Sequence, residues 1–71
     1  MKITTLQMKK ILSSKTSFSQ LGFNMLITRL AKLYMNDPSD KVLLQCAAET
    51  NAFLEKYQQI MQKDVELISR L

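Results

Sequence analysis

The sequence contains no histidine, no tryptophan and a single cysteine, and these shortages exclude several kinds of site. Without histidine the chain lacks the commonest general base of enzymes and the commonest zinc ligand. One cysteine cannot form an internal disulfide or a cysteine-based metal cluster. One glycine and one proline leave few positions for the turns that β architectures require. We therefore expect a helical protein that is not an enzyme and that uses no cofactor or metal.

Charge of one sign is also missing from half of the chain. Residues 1–35 carry six lysine or arginine residues and no acid, whereas residues 36–71 carry four basic and six acidic residues, for a net charge of +4. This division favours antiparallel pairing of the two halves or head-to-tail contact between copies. The basic residues are scattered, with no arginine-rich run, so the pattern favours a protein partner over nucleic acid.

The length of 71 residues indicates one helical domain, residues 1–71, and 46% hydrophobic residues argue against disorder. A domain of this size buries only about 60% of its unfolded surface, so we expect a partner chain, identical or different. No apolar run of about 18 residues occurs, which predicts no transmembrane segment. No signal peptide is recognisable, so we expect synthesis in the cytoplasm, with export without a cleaved signal as the alternative.

Apolar spacing predicts an all-α antiparallel hairpin preceded by a short helix. The first helix spans about residues 3–12 and a hydroxyl-rich break follows it. Ser17 and Gln20 have the spacing of a capping box at the start of a second helix, residues 18–35, which contains Gly22. Residues 36–40 form the turn, in which Asp37 caps the next helix, Pro38 takes its first position and Asp40 lies near its positive end.

The last helix is predicted to run from 38 to 70, because no glycine or proline interrupts its apolar seam. At about 1.5 Å per residue it would be nearly 50 Å long, and the second helix would cover little more than half of it. We therefore expect residues 57–71 to expose an apolar contact surface, unless the first helix folds back over it. The predicted interface comprises Leu43, Ala47, Leu54, Tyr57, Ile60, Met61, Val65, Ile68 and Leu71. Replacing Tyr57 or Ile68 by aspartate should then prevent association without unfolding the hairpin.

No group of residues has the chemistry of an active site. The serines have no histidine partner, and the carboxylates are spread along predicted helix surfaces. Cys46 lies beside Ala47 and Ala48, which predicts a small buried residue where helices approach closely. A helix-turn-helix with Gly22 in its turn is disfavoured, because apolar residues crowd the stretch that would have to read DNA.

The turn and the flanking helices resemble the needle subunits of bacterial type III secretion systems. The residues that carry the resemblance are Leu30-Ala31-Lys32, the loop 36–40, Leu43-Leu44-Gln45, and the region of Lys63 and Val65. In that family two helices joined by such a loop polymerise helically, and the C-terminal helix faces the channel. The resemblance implies that residues 41–71 pack between subunits. Cys46, the basic first half and the long capped helix 18–35 depart from that pattern and fit equally a small helical-hairpin chaperone of the same systems.

A second resemblance is to the two-helix phosphatases that act on sporulation response regulators, whose second helix has the spacing of residues 47–57. Asn51 stands where that family needs an aspartate, so the chemistry of the family is not carried over. The sequence therefore leads us to expect a component of a bacterial protein-secretion apparatus that self-assembles or binds another helical subunit. The alternative is a small regulatory or immunity-type helical protein that binds and inhibits one protein target.

Overall fold

A computed structural model gives the fold, and it describes residues 1–57 and 62–71. The described residues form four helices and no strand: α1 (Thr5–Ser13), α2 (Leu21–Asn36), α3 (Asp40–Lys56) and α4 (Gln62–Arg70). The prediction of an all-α fold is confirmed. The predicted number and lengths of the helices differ from the structure, and the differences have identifiable physical causes.

The start of α1 is fixed by a capping box that was not predicted from the sequence. Thr4 Oγ1 accepts a hydrogen bond from the Gln7 amide at 3.2 Å, and Gln7 Oε1 accepts one from the Thr4 amide at 3.0 Å. These bonds pair amides that have no partner within the helix. The helix therefore begins two residues after the predicted start and ends one residue after the predicted end.

The predicted capping box at Ser17 and Gln20 is wrong. The N-cap of α2 is Gln20, whose side chain makes no capping bond, and the helix begins at Leu21 instead of residue 18. The amides of Ser19 and Gln20 donate to Asp64, a residue 45 and 44 positions away in the chain. The start of α2 is therefore stabilised by a distant carboxylate and not by a local hydroxyl.

The turn between α2 and α3 lies where it was predicted, but its residues have other roles. Asp37 is the C-cap of α2, and Ser39 is the N-cap of α3, with its side chain accepting from the Val42 amide at 3.2 Å. Asp40 is the first residue of α3, where a carboxylate interacts favourably with the helix dipole. Asp37 therefore does not cap α3, and Pro38 precedes that helix instead of occupying its first position.

The prediction of one helix over residues 38–70 is wrong. The helix α3 ends at Lys56, and Tyr57 has non-helical backbone angles (φ −110°, ψ 79°). The separate helix α4 contributes Ile68 to the core, where its side chain is only 2% exposed. A continuous helix would have left this side chain uncovered, and burying it is worth roughly 1.5–3 kcal/mol. Breaking the helix thus lets the chain cover its own apolar residues.

The core lies where α1, α2 and α3 pack against one another, with α4 added to it. Arg29 pairs with Glu49, and Gly22, earlier in α2, lies against Phe53, later in α3, so these two helices are antiparallel. The radius of gyration of the Cα atoms is 11.0 Å, and a compact domain of this length is expected at about 11 Å. The hairpin formed by α2 and α3 is therefore part of a bundle and does not extend beyond it.

Candidate functional site

Part of the predicted interface lies inside the chain's own core. The side chains of Leu43, Ala47, Leu54 and Ile68 are all buried among the described residues. Because these four side chains are buried, they cannot form part of an exposed interface. Their assignment to the predicted interface is therefore corrected. The physical reason is that α1 and α2 pack on α3 and cover Leu43, Ala47 and Leu54, while the break after α3 lets α4 place Ile68 in the same core.

The other predicted interface residues have different positions. Tyr57 is 48% exposed, and Val65 and Leu71 are half-buried. Ile60 and Met61 lie outside the described residues. A partner contact at Tyr57, Val65 or Leu71 stays a prediction. The turn residues Asp37, Pro38 and Asp40 are exposed.

Two exposed apolar side chains lie on the first turns of α2. Leu21 is 71% exposed and Met25 is 62% exposed, one turn apart on the same face of the helix. Between them, Gly22 has no side chain to cover Phe53: a Cβ there would lie 3.6 Å from Phe53 Cζ. We call Leu21, Met25, Phe53 and Tyr57 the apolar face.

Aromatic contacts connect the apolar face to the core. The ring centroids of Phe18 and Phe23 are 4.9 Å apart, those of Phe23 and Phe53 5.7 Å, and those of Phe53 and Tyr57 4.7 Å. Phe18 and Phe23 are buried, whereas Phe53 is half-buried and Tyr57 is exposed. Contact with the buried ring of Phe23 limits the motion of Phe53, and Tyr57 packs on Phe53, so less conformational entropy would be lost when a partner covers them.

Sequence reasoning assigned Tyr57 to an interface but did not assign Leu21 or Met25. Both lie outside the apolar stripe of α2 that packs on the core, which includes Phe23, Ile27 and Leu30. Apolar residues four positions apart on the opposite side of an amphipathic helix were the available signal.

An ion pair borders the apolar face on the same pair of helices. Arg29 Nη2 donates to Glu49 Oε1 at 2.9 Å. This hydrogen bond from Arg29 lowers the pKa of Glu49 below its ordinary value, against a smaller opposing effect of burial. The pair links α2 to α3 next to Met25, which is four residues before Arg29 on α2.

The predicted burial of Cys46 is confirmed, since its side chain is fully enclosed and its Sγ lies 3.9 Å from the Leu30 carbonyl oxygen. Burial raises the pKa of this thiol, nearby Glu49 adds to the increase, and Arg29 opposes it. A buried thiol with a raised pKa is a poor nucleophile. Cys46 therefore has a packing role at the contact between α2 and α3.

A second surface feature is a groove between the segment 14–17 and α2. It has a volume of about 280 Å³, and its polar lining comes from Lys15, Thr16, Ser17, Thr28 and Lys32, among others. We call it the basic groove. Buried Ile11 and Ile27 and half-buried Ala31 provide its apolar part.

Two further polar contacts hold the chain together over long distances. The Asp64 carboxylate is fully buried and accepts from the Ser19 amide at 2.7 Å and from the Gln20 amide at 2.9 Å. Asn51 accepts from the Ile3 amide at 2.6 Å and donates to the Ile3 carbonyl at 2.9 Å. Each contact pairs buried or half-buried backbone groups, so these two polar side chains are structural.

Within residues 1–57 and 62–71, no three potential ligand side chains come together as a metal site. None of the helices in the described part of the chain combines the length and the apolar character needed to cross a bilayer. Comparisons with protein-family models, with curated proteins and with solved structures found no match. The candidate site is therefore defined by geometry alone: the apolar face and the basic groove, which share α2.

Proposed function

We propose that this protein is a non-enzymatic binding module that docks onto one protein target through the apolar face. The observation that carries the proposal is the exposure of Leu21 and Met25 at the start of α2, where Gly22 packs on Phe53 and Phe53 in turn contacts Tyr57. Interfaces are enriched in aromatic residues and methionine, and a few such side chains supply most of the binding free energy. Covering Leu21 and Met25 would contribute roughly 1.5–3 kcal/mol each.

Of the two functions considered from the sequence, a regulatory or immunity-type binder is the one that this geometry favours. A polymerising needle-type subunit depends on a long C-terminal helix that packs between copies, whereas α3 ends at Lys56. A net charge of +4 also opposes the stacking of identical copies. Membership of a secretion apparatus stays a prediction based on the sequence resemblance.

The test is site-specific photocrosslinking in the native cell. A photoreactive amino acid replaces Met25 in one variant and Leu44 in a control variant, because Leu44 is 60% exposed but lies on α3 outside the apolar face. We expect one discrete crosslinked product from position 25, lost when Tyr57→Asp is added, and none from position 44.

Three results would contradict the proposal. Equal products from both positions would mean that contacts are unspecific, and a ladder at multiples of the chain mass would mean that the protein assembles with itself. Absence of any product from position 25 would remove the apolar face as the docking surface.

A further inference from the structure

Going beyond the apolar face, we infer that the basic groove binds an acidic, partly apolar peptide segment of a partner protein. Among residues 1–57 and 62–71, neither lysine of the groove forms an ion pair with a carboxylate. Lys15 and Lys32 line it from opposite sides, one from the segment 14–17 and one from α2, and no acidic residue is among its lining residues. Residues 1–35 contain no acid at all.

The groove is held open by contacts at both ends of the segment 14–17. At one end the Ser14 amide donates to the carbonyls of Lys10 and Ile11, at 3.0 and 3.3 Å. At the other end the Phe18 amide donates to Asn24 Oδ1 at 2.8 Å, and the Phe18 side chain is buried. Because the segment is fixed to both helices, a ligand would not have to order it on binding.

The lining of the groove defines the chemistry of the ligand. The two lysines and the hydroxyl groups of Thr16 and Ser17 suit carboxylates, whereas the apolar part suits an aliphatic side chain. A segment in which acidic and aliphatic residues alternate meets both requirements. A nucleic-acid backbone offers anionic oxygens but no aliphatic side chain, so the apolar part of the groove favours a peptide.

A second copy of this chain is a poorer occupant. Each copy carries a net charge of +4, so two copies repel one another. This repulsion acts over the same distances as the attraction by which a positively charged groove would capture its ligand. An acidic partner is instead attracted over about 10 Å at 0.1 M salt.

The experiment measures binding of a short fluorescent peptide of alternating glutamate and leucine by fluorescence anisotropy. The groove variant is Lys15→Glu/Lys32→Glu. The matched control is Lys9→Glu/Lys41→Glu, which changes the net charge equally at exposed positions outside the groove lining. We expect binding roughly 10-fold weaker in the groove variant and weaker by less than about 2-fold in the control.

Amide NMR spectra of the wild-type protein locate the bound peptide. Shifts should concentrate at Thr16, Ser17, Thr28 and Ala31, and a peptide with serine in place of leucine should bind less tightly. Circular dichroism of both variants checks that the helices are retained.

Three outcomes would overturn the inference. Equal weakening of both variants would show that binding follows net charge and not the groove. Tighter binding of a short DNA duplex than of the peptide, lost in the groove variant, would make the groove a nucleic-acid site. Concentration-dependent dimerisation lost in the same variant would make a second copy the occupant. The apolar face is tested separately by the photocrosslinking described above, so either proposal can fail alone.

Discussion

At the scale of single residues, Thr50 is a polar side chain in an apolar environment. It is fully buried on α3, and its Oγ1 has no hydrogen-bond partner among the described residues. A buried hydroxyl without a partner costs free energy, because the hydrogen bonds to water in the unfolded chain are not replaced. We predict that Thr50→Val raises the free energy of unfolding by about 1 kcal/mol.

Urea unfolding followed by circular dichroism measures this change. Thr28→Val is the matched control, since the Thr28 hydroxyl is exposed and donates to the Asn24 carbonyl at 2.8 Å. The control should change stability by less than about 0.5 kcal/mol. A clear loss of stability in Thr50→Val would mean that its hydroxyl is paired in the native protein.

Cys46 provides a second prediction at this scale. Burial raises its pKa, so the thiolate fraction stays small even where an exposed thiol, with a pKa of about 8.5, is half ionised. We expect the native protein to react slowly with a thiol reagent at that pH and the urea-unfolded chain to react at once. Fast reaction of the folded protein would show that α2 and α3 separate readily at Cys46.

The pair of Arg29 and Glu49 predicts a pH dependence. Because Arg29 lowers the pKa of Glu49 in the folded protein, the stabilisation is present above the unfolded pKa and is lost as the pH falls through the folded pKa. The side chains of Arg29 and Glu49 are 58% and 36% exposed, so we expect only about 0.2–1 kcal/mol. Glu49→Gln should therefore be less stable than wild type near neutral pH and equally stable in acid.

Denaturant unfolding at the two pH values measures this difference. Glu55→Gln is the control, since Glu55 is exposed on the same helix and forms no ion pair with another described residue. A difference between Glu49→Gln and wild type that persists unchanged in acid would show that ionisation of Glu49 does not carry the effect.

At the scale of helices, α4 stabilises the start of α2 through Asp64. The carboxylate accepts two amide hydrogen bonds and lies at the positive end of the helix dipole. We predict that Asp64→Ala lowers the free energy of unfolding by roughly 1.5–3 kcal/mol and that Asp64→Asn, which keeps one acceptor oxygen, loses less.

Unfolding experiments give the total effect, and amide hydrogen exchange locates it. Exchange at Ser19 and Gln20 should accelerate in Asp64→Ala. Glu66→Ala, an exposed position on the same helix, should leave both amides unchanged. If all amides accelerate equally, Asp64 supports the whole core instead of the first turn of α2.

The helices also show which structural information is local. The turn at residues 36–40 was placed from the sequence, because a proline among cap-forming residues acts on its immediate neighbours. The carboxylate that caps α2 was not predicted, because Asp64 lies 44 residues from Gln20 in the chain. The break at Tyr57 has no glycine or proline to mark it, and it follows from the burial of Ile68 by tertiary packing.

At the scale of the molecule, the apolar seam of the C-terminal half was recognised in the sequence, but the predicted contact partner of that seam was wrong. The sequence places Leu43, Ala47, Leu54 and Ile68 on one stripe, and all four are buried, so the stripe itself is real. The prediction assumed one straight helix that is longer than the helices packed against it. It therefore assigned the stripe to contact with another chain. Of the apolar face, only Tyr57 was predicted; Leu21 and Met25, four positions apart and outside the packed stripe of α2, were not.

The compact bundle therefore reverses one expectation derived from the sequence. Ile68→Asp was expected to block association and leave the fold intact, but it places a charge at a site that is 2% exposed. A small domain is stable by about 0.05–0.15 kcal/mol per residue, and a buried unpaired charge costs several kcal/mol. We predict that Ile68→Asp is largely unfolded at room temperature, whereas Tyr57→Asp, at a half-exposed position, unfolds within a few degrees of wild type.

Thermal melts followed by circular dichroism distinguish the two variants, and light scattering checks that neither is aggregated. Leu71→Asp provides an intermediate case, because that side chain is half-buried against the core. Its melting temperature should lie between those of the other two. If Ile68→Asp melts at the same temperature as Tyr57→Asp, α4 is not part of the folded core. Residues 62–71 would then be available to a partner after all, and the interface derived from the sequence would replace the apolar face as the docking surface.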